Sequence, residues 1–194
     1  SVWYDRLIKI AAVENSLQRY DQLVQLHKET LAFYIPAIQA LSKEQAWKTS
    51  SDGRPIALVV AHIMAWEDFQ IQAFTDSNRA ERLSEQMHLR GFEDRENHER
   101  LNFTGVDEFN AYQTKKYASW PWEKIQETAV GVAKNLQKVF VPNPSAEFLD
   151  FLNSTPERKW KILRDKTITV PGGWYLWMVS LEHEAVEHAK DLGY

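Results

Sequence analysis

Apolar residues recur at spacings of three and four along four stretches of the chain, the period of an amphipathic helix. The first stretch spans residues 13–41, where Leu17, Tyr20, Val24, Leu26, Leu31, Tyr34, Ile38 and Leu41 mark one face. Pro36 lies inside it and predicts a kink or a division into two pieces. Trp3, Leu7, Ile8 and Ile10 predict an extra leading turn. Residues 49–55 combine capping side chains, a glycine and a proline suited to a first helical turn, so a second helix is predicted over 55–74. Its first half is apolar nearly all round, the mark of a central, buried element. The third helix opens at Ser119-Trp120-Pro121 and turns Ile125, Ala129, Val132, Ala133, Leu136 and Val139 inward. It ends before Pro142-Asn143-Pro144. The fourth is predicted over 174–192, with Gly193 as its stop.

Residues 76–119, between the second and third helices, are charged and irregular apart from a short helix predicted over 106–117. Their most polar run, 94–100, reads as a solvated crossover. A connection of this length lets the second and third helices run parallel. Residues 145–170 read as short pieces: a helix from Pro156 and an extended Thr167-Ile168-Thr169-Val170. Pro171-Gly172-Gly173 breaks the chain again. The expected fold class is all-α, as one domain over 1–194, a length that suffices for one well-buried core and is short for two.

Composition narrows this further. Seven glycines are too few for the turns of an all-β sandwich. The net charge is −4 and no basic stripe is visible, which argues against electrostatic binding of nucleic acid. The absence of cysteine excludes disulfides, thiolate metal ligands and a nucleophilic thiol of the chain's own, and fits a reducing, cytoplasmic compartment. No apolar run reaches the length of a membrane span, and residues 1–9 lack the pattern of a signal peptide. Eight tryptophans are many for this length, and some should line a core or a pocket, since a tryptophan usually keeps its N–H near a polar partner.

Two segments carry candidate chemistry. His62 has Leu58, Val59, Ala65 and Trp66 three and four positions away, so its imidazole faces an apolar surface. It is either a hydrogen-bonded core histidine or a metal ligand. In the fourth helix Glu184 and His188 are four apart and share a face, while His183 and Glu187 form a second such pair on another face. Each pair reads equally as a surface hydrogen bond or ion pair. His183 and His188 are five apart, roughly 140° around an α-helix, a spacing that predicts they do not grip one ion. Antiparallel packing of the second and fourth helices would bring His62 and His188 to one end, whereas parallel packing would separate them by roughly 10 Å. Two imidazoles and one carboxylate with vacant positions form a metal arrangement suited to catalysis.

The run Ala57-Leu58-Val59-Val60-Ala61-His62-Ile63-Met64-Ala65-Trp66-Glu67, the opening Ser119-Trp120-Pro121-Trp122-Glu123-Lys124-Ile125 and residues 181–192, with the order of the helices, resemble the DinB-like superfamily over most of the chain. The resemblance implies a four-helix bundle in up-down-down-up order with a long crossover between helices two and three. It also implies a divalent metal (zinc, nickel, iron or manganese) held by one histidine of helix two and an H-x-x-x-H pair of helix four. By position, His62 and His188 match two of these ligands. The first histidine of the pair falls at Glu184, so Glu184 is the expected third ligand and His183, one residue out of phase, the alternative. The implied activity is that of a metal-dependent S-transferase or isomerase using a low-molecular-weight thiol. The rival expectation is a non-catalytic bundle that encloses a small apolar molecule between Trp66, Trp174 and Trp177, or that forms a homodimer. Expected partners are therefore small molecules, not nucleic acid or membrane.

Overall fold

Two helices stand where the sequence predicts one with a leading turn: α1 (Val2–Ala11) and α2 (Ser16–Ala40). A computed structural model describes residues 2–141 and 144–194; Ser1 and the Pro142-Asn143 pair lie outside the described residues. Asn15 starts α2, its side chain accepting from the Gln18 amide at 3.0 Å and so satisfying one of the donors a helix start leaves unpaired. The buried face carries Tyr20, Leu23, His27, Thr30, Tyr34 and Ile38. The helix continues through Pro36 without a division, because the lost hydrogen bond falls near its end and the last carbonyls find other donors. Ile38 accepts from the Leu41 amide and from Gln126 Nε2.

After the single turn α3 (Lys43–Ala46), Pro55 precedes α4 (Ile56–Thr75). Residues 57–65 of α4 are buried on every side, as the unbroken apolar run predicts. The partner that covers most of it is α7 (Trp122–Phe140), whose inward residues include Ala129 and Ala133. Those small side chains let the two helices lie close together.

The connection between α4 and α7 is more ordered than its polarity suggests. It holds α5 (Arg79–Met87), a two-residue strand pair β1 (Phe92–Glu93) and β2 (Arg100–Leu101), and α6 (Val106–Tyr117). Arg82 is buried in α5 because Asp76, Glu85 and the Gly91 carbonyl all meet its guanidinium. After α8 (Ala146–Ser154), the helix expected from Pro156 is instead a hairpin. β3 (Glu157–Leu163) pairs antiparallel with β4 (Lys166–Pro171). The reason is a period of two: Trp160 and Ile162 alternate with charged residues, a pattern a helix cannot bury on one face.

The last segment comprises α9 (Gly172–Glu182), a π-helical turn (His183–Glu187) and α10 (Ala189–Leu192), closed by Gly193 in the left-handed conformation at φ 87°. The fold is thus mainly α with two small strand pairs. Among the described residues no helix is long and apolar enough to cross a membrane. Three buried tryptophans each find a hydrogen-bond acceptor: Trp122 the Leu41 carbonyl, Trp174 the Asn153 side chain and Trp177 Nδ1 of His27. Trp177 also stacks on Phe140 with ring centroids 4.6 Å apart.

Candidate metal centre

Helices α4 and α9 run antiparallel. His62, early in α4, meets the turn after α9, while Gln70, two turns later in α4, accepts from Ser180 further back in α9. This places His62, His183 and His188 together, with their donor nitrogens all within 4.8 Å of one another. Nε2 of His183 stands 2.9 Å from Nε2 of His62 and 3.1 Å from Nε2 of His188. Three imidazole nitrogens around one tetrahedral zinc, each at about 2.0–2.1 Å from it, would lie about 3.3 Å from one another.

The pairing of His183 with His188 differs from the expectation drawn from an ideal α-helix. Residues 183–187 form a π-helical turn, in which hydrogen bonds close from i to i+5 and residues five apart come to lie one turn above each other. The widened turn brings both imidazoles to the same side. Glu184 is thereby directed elsewhere. Its carboxylate is fully buried and faces α2, with Oε2 3.1 Å from the Thr30 hydroxyl, and it lies against the Glu67 carboxyl. The group of nitrogens therefore comprises His62, His188 and His183, while Glu184 belongs to a different set of contacts. The signal that could have found this in the sequence is the H-x-x-x-x-H spacing itself, which fits one face only across a π-turn.

The residues fit a metal ion on grounds of their own. A ring nitrogen either donates one proton or accepts one, through a single in-plane lone pair. His183 Nε2 has two nitrogen neighbours at hydrogen-bonding distance, so one of the two contacts cannot be a hydrogen bond. A cation accepting three lone pairs satisfies all three rings at once. The rings are suited to this because they are held neutral. Burial, with help from Arg54 and His188, pulls His62 down to about 3. Burial and the two neighbouring rings hold His183 well below the usual histidine range, and burial followed by Arg54 lowers His188.

The centre opens into a cleft of about 870 Å³ that His62 and His183 line. Trp66, Leu89, Leu176 and Val179 give it apolar walls, and Trp66 donates to Asn110 at 3.0 Å. Trp174 and Trp177 are instead fully buried core. Two charged residues also stand at the cleft: Arg54, for which the sequence suggests no role, and Glu187, which its spacing pairs with His183. Arg54, in the loop before α4, is gripped by Asp52 and acts electrostatically on all three histidines. Glu187 places Oε2 3.7 Å from His183 Nε2 while half of its side chain remains exposed. No family model matches the chain, and no curated protein or solved structure gives a match.

Proposed function

We infer that the chain is a metal-dependent enzyme of the DinB-like kind, in which α2, α4, α7 and α9 form an up-down-down-up four-helix bundle. In this reading it joins a low-molecular-weight thiol to a small electrophile, or isomerises such a substrate. The observation that carries the reading is the double contact of His183 Nε2, a geometry that one ion resolves. When bound, a divalent ion supplies a Lewis acid that lowers the pKa of a thiol or water beside it. His62, His183 and His188 hold that ion through neutral nitrogens. Glu187, beside His183 at the cleft, is the group placed to take a proton from the incoming thiol, and burial raises its pKa from the ordinary carboxylate value. Arg54 offers its guanidinium to an anionic group of either substrate. The apolar walls around Trp66 exclude water from the electrophile. With no cysteine in the chain, the nucleophilic thiol comes from a cosubstrate, which stays reduced in a cytoplasmic setting.

The test is metal analysis of protein prepared without a histidine tag, compared with His62→Ala, followed by thiol consumption in the presence of a chloro-dinitrobenzene. One divalent ion per chain, lost in the variant, with thiol consumption that requires the ion, is the expected result. Metal absent from both proteins removes the enzyme reading. The apolar lining of the cleft favours a second reading, a non-catalytic carrier of a small apolar compound. Metal binding without thiol consumption would favour that carrier.

A further inference from the structure

A second set of donors lies in the core, away from the three imidazoles. Glu67 comes from α4, Glu184 from the π-helical turn, and Thr30 and Tyr34 from α2, and none of the four is more than 2 % exposed. Both Glu67 oxygens, Glu184 Oε1 and the Tyr34 hydroxyl are enclosed without a hydrogen-bond partner. The Thr30 hydroxyl has one proton to give and two candidate acceptors, the His27 carbonyl at 2.9 Å and Glu184 Oε2 at 3.1 Å. Donation to the carbonyl leaves its lone pairs facing the carboxylate. Ionised carboxylates are acceptors only. The two carboxyl groups therefore turn lone pairs towards one another, and the Tyr34 hydroxyl, which could donate, meets no acceptor.

A proton shared by the two carboxyl groups would satisfy one contact, and burial does raise the pKa of both. It would leave the other Glu67 oxygen and the Tyr34 hydroxyl unpaired in a medium where unpaired polar atoms are costly. Tyr34 is the independent pointer. It is fully buried, lies one helical turn beyond Thr30 on the same face of α2, and stands in the field of both carboxylates. An ion would accept from all of these oxygens at once.

We propose that Glu67, Glu184, Thr30 and Tyr34 form a second cation site, selective for a hard divalent ion such as Mn2+, Mg2+ or Ca2+. Two carboxylates balance a double positive charge, and an all-oxygen donor set suits hard cations, whereas three imidazoles suit zinc and its neighbours. Glu67 also lines the cleft, which gives the ion an entry path. The site does not require the three-histidine centre to be filled.

The experiment strips the protein with a chelator, adds one equivalent of zinc, and titrates Mn2+ alone, following loss of the free-ion signal by electron paramagnetic resonance. One Mn2+ per chain beyond the zinc is expected. Glu67→Gln should weaken it at least about tenfold and Tyr34→Phe severalfold, by analogy with the loss of metal-site partners. His62→Ala protein without zinc should bind Mn2+ as the wild type does, which separates this site from the histidine centre. Failure to bind Mn2+ at millimolar concentration, or equal binding by wild type and Glu67→Gln, overturns the proposal and leaves a carboxyl pair that holds only a proton. Circular dichroism and retained zinc show that Glu67→Gln is folded. Should it not fold, Tyr34→Phe, which removes only a hydroxyl, decides the matter.

Discussion

Nε2 of His62 and Nε2 of His183 stand 2.9 Å apart, although 121 positions separate the two residues, and the same His183 atom is 3.1 Å from His188. One of those contacts lacks a bridging proton, so the ion-free arrangement carries a repulsion that a bound cation turns into attraction. Zinc at about 100 times its dissociation constant should therefore raise the folding stability by about 2.7 kcal/mol. Thermal melting with zinc and with a chelator checks this. His183→Ala should abolish the shift, whereas His98→Ala, at an exposed histidine outside the cluster, should retain it.

The widened turn is tied down by Tyr194, whose hydroxyl donates to the Glu184 carbonyl while its ring stacks on Phe33 at 6.0 Å. Tyr194→Phe keeps the stack and removes the tie. It should cost about 0.5–1.5 kcal/mol in urea unfolding. If the tie also holds the turn in its wide form, zinc affinity should fall by a comparable factor, up to about tenfold. Unchanged affinity in a competition titration would show that the turn keeps its shape without this bond.

Asp94 holds one wall of the cleft. It is 2 % exposed, meets Lys116 Nζ at 3.0 Å, and accepts from the Tyr112 hydroxyl and from the Glu96 amide at 2.9 Å. It thereby pins the loop between β1 and β2 onto α6, which contributes Asn110 and Thr114 to the cleft. Asp94→Ala strands a largely buried ammonium and several donors, so a loss of about 2–3 kcal/mol is expected from urea unfolding. A loss below 0.5 kcal/mol would mean that the loop packs without its anchor.

Much of this fold is legible because burial imposes a period. The continuous apolar run before Trp66 identifies α4 as central, and the helix at Val106–Tyr117 falls where its pattern predicts. Of the hairpin, β4 falls where the extended Thr167-Ile168-Thr169-Val170 is predicted, whereas β3 replaces the helix expected from Pro156, because the charges of Glu157, Arg158, Lys159 and Lys161 obscure the alternation of Trp160 and Ile162. The helix α5 is not legible from polarity alone, because Arg82 is charged yet buried, its guanidinium met by Asp76, Glu85 and the Gly91 carbonyl. At the site, the apolar neighbours of His62 predict that its ring is buried, as it is in the structure. The place of His183 could not be derived from ideal helix geometry, since a π-turn is a local departure sustained by tertiary contacts. Glu184 is expected beside the ion because residues four apart share a face of an α-helix, and the π-turn removes that shared face.

The acid sensitivity of the fold should carry the mark of His27. Burial pulls this ring down to about 3, and its Nδ1 accepts from Trp177. In the unfolded chain the same ring titrates near 6.5. Between these values the unfolded state binds the extra proton, so stability is fully present above about 6.5 and falls as pH drops towards 3, by up to about 1.4 kcal/mol per pH unit for one histidine. His62, His183 and His188 shift in the same direction and add to the slope in ion-free protein. His27→Gln keeps an acceptor for Trp177 and removes one titrating group. Urea midpoints between pH 4.5 and 7 should therefore fall less steeply in the variant, by close to one proton. Parallel slopes would mean that His27 is protonated in the fold.

The spacing of His183 and His188 and the π-turn compensate for one another, which leads to a test by deletion. Removing Val186 leaves the two histidines four apart, the spacing at which an ordinary α-helix presents both on one face. A helix relaxed to α geometry should then still direct both rings at His62, and zinc affinity should stay within about tenfold of the wild type. The residues beyond the deletion keep their facing for the same reason, so Leu192 stays in the core and Tyr194 near the Glu184 carbonyl, and the loss in urea unfolding should stay within about 0.5–3 kcal/mol. Inserting an alanine after Val186 makes the spacing six, which neither helical form can place on one face, and should abolish zinc binding. A folded deletion variant that binds no zinc would show that the turn's own shape, and not the alignment of the two rings, sets the centre.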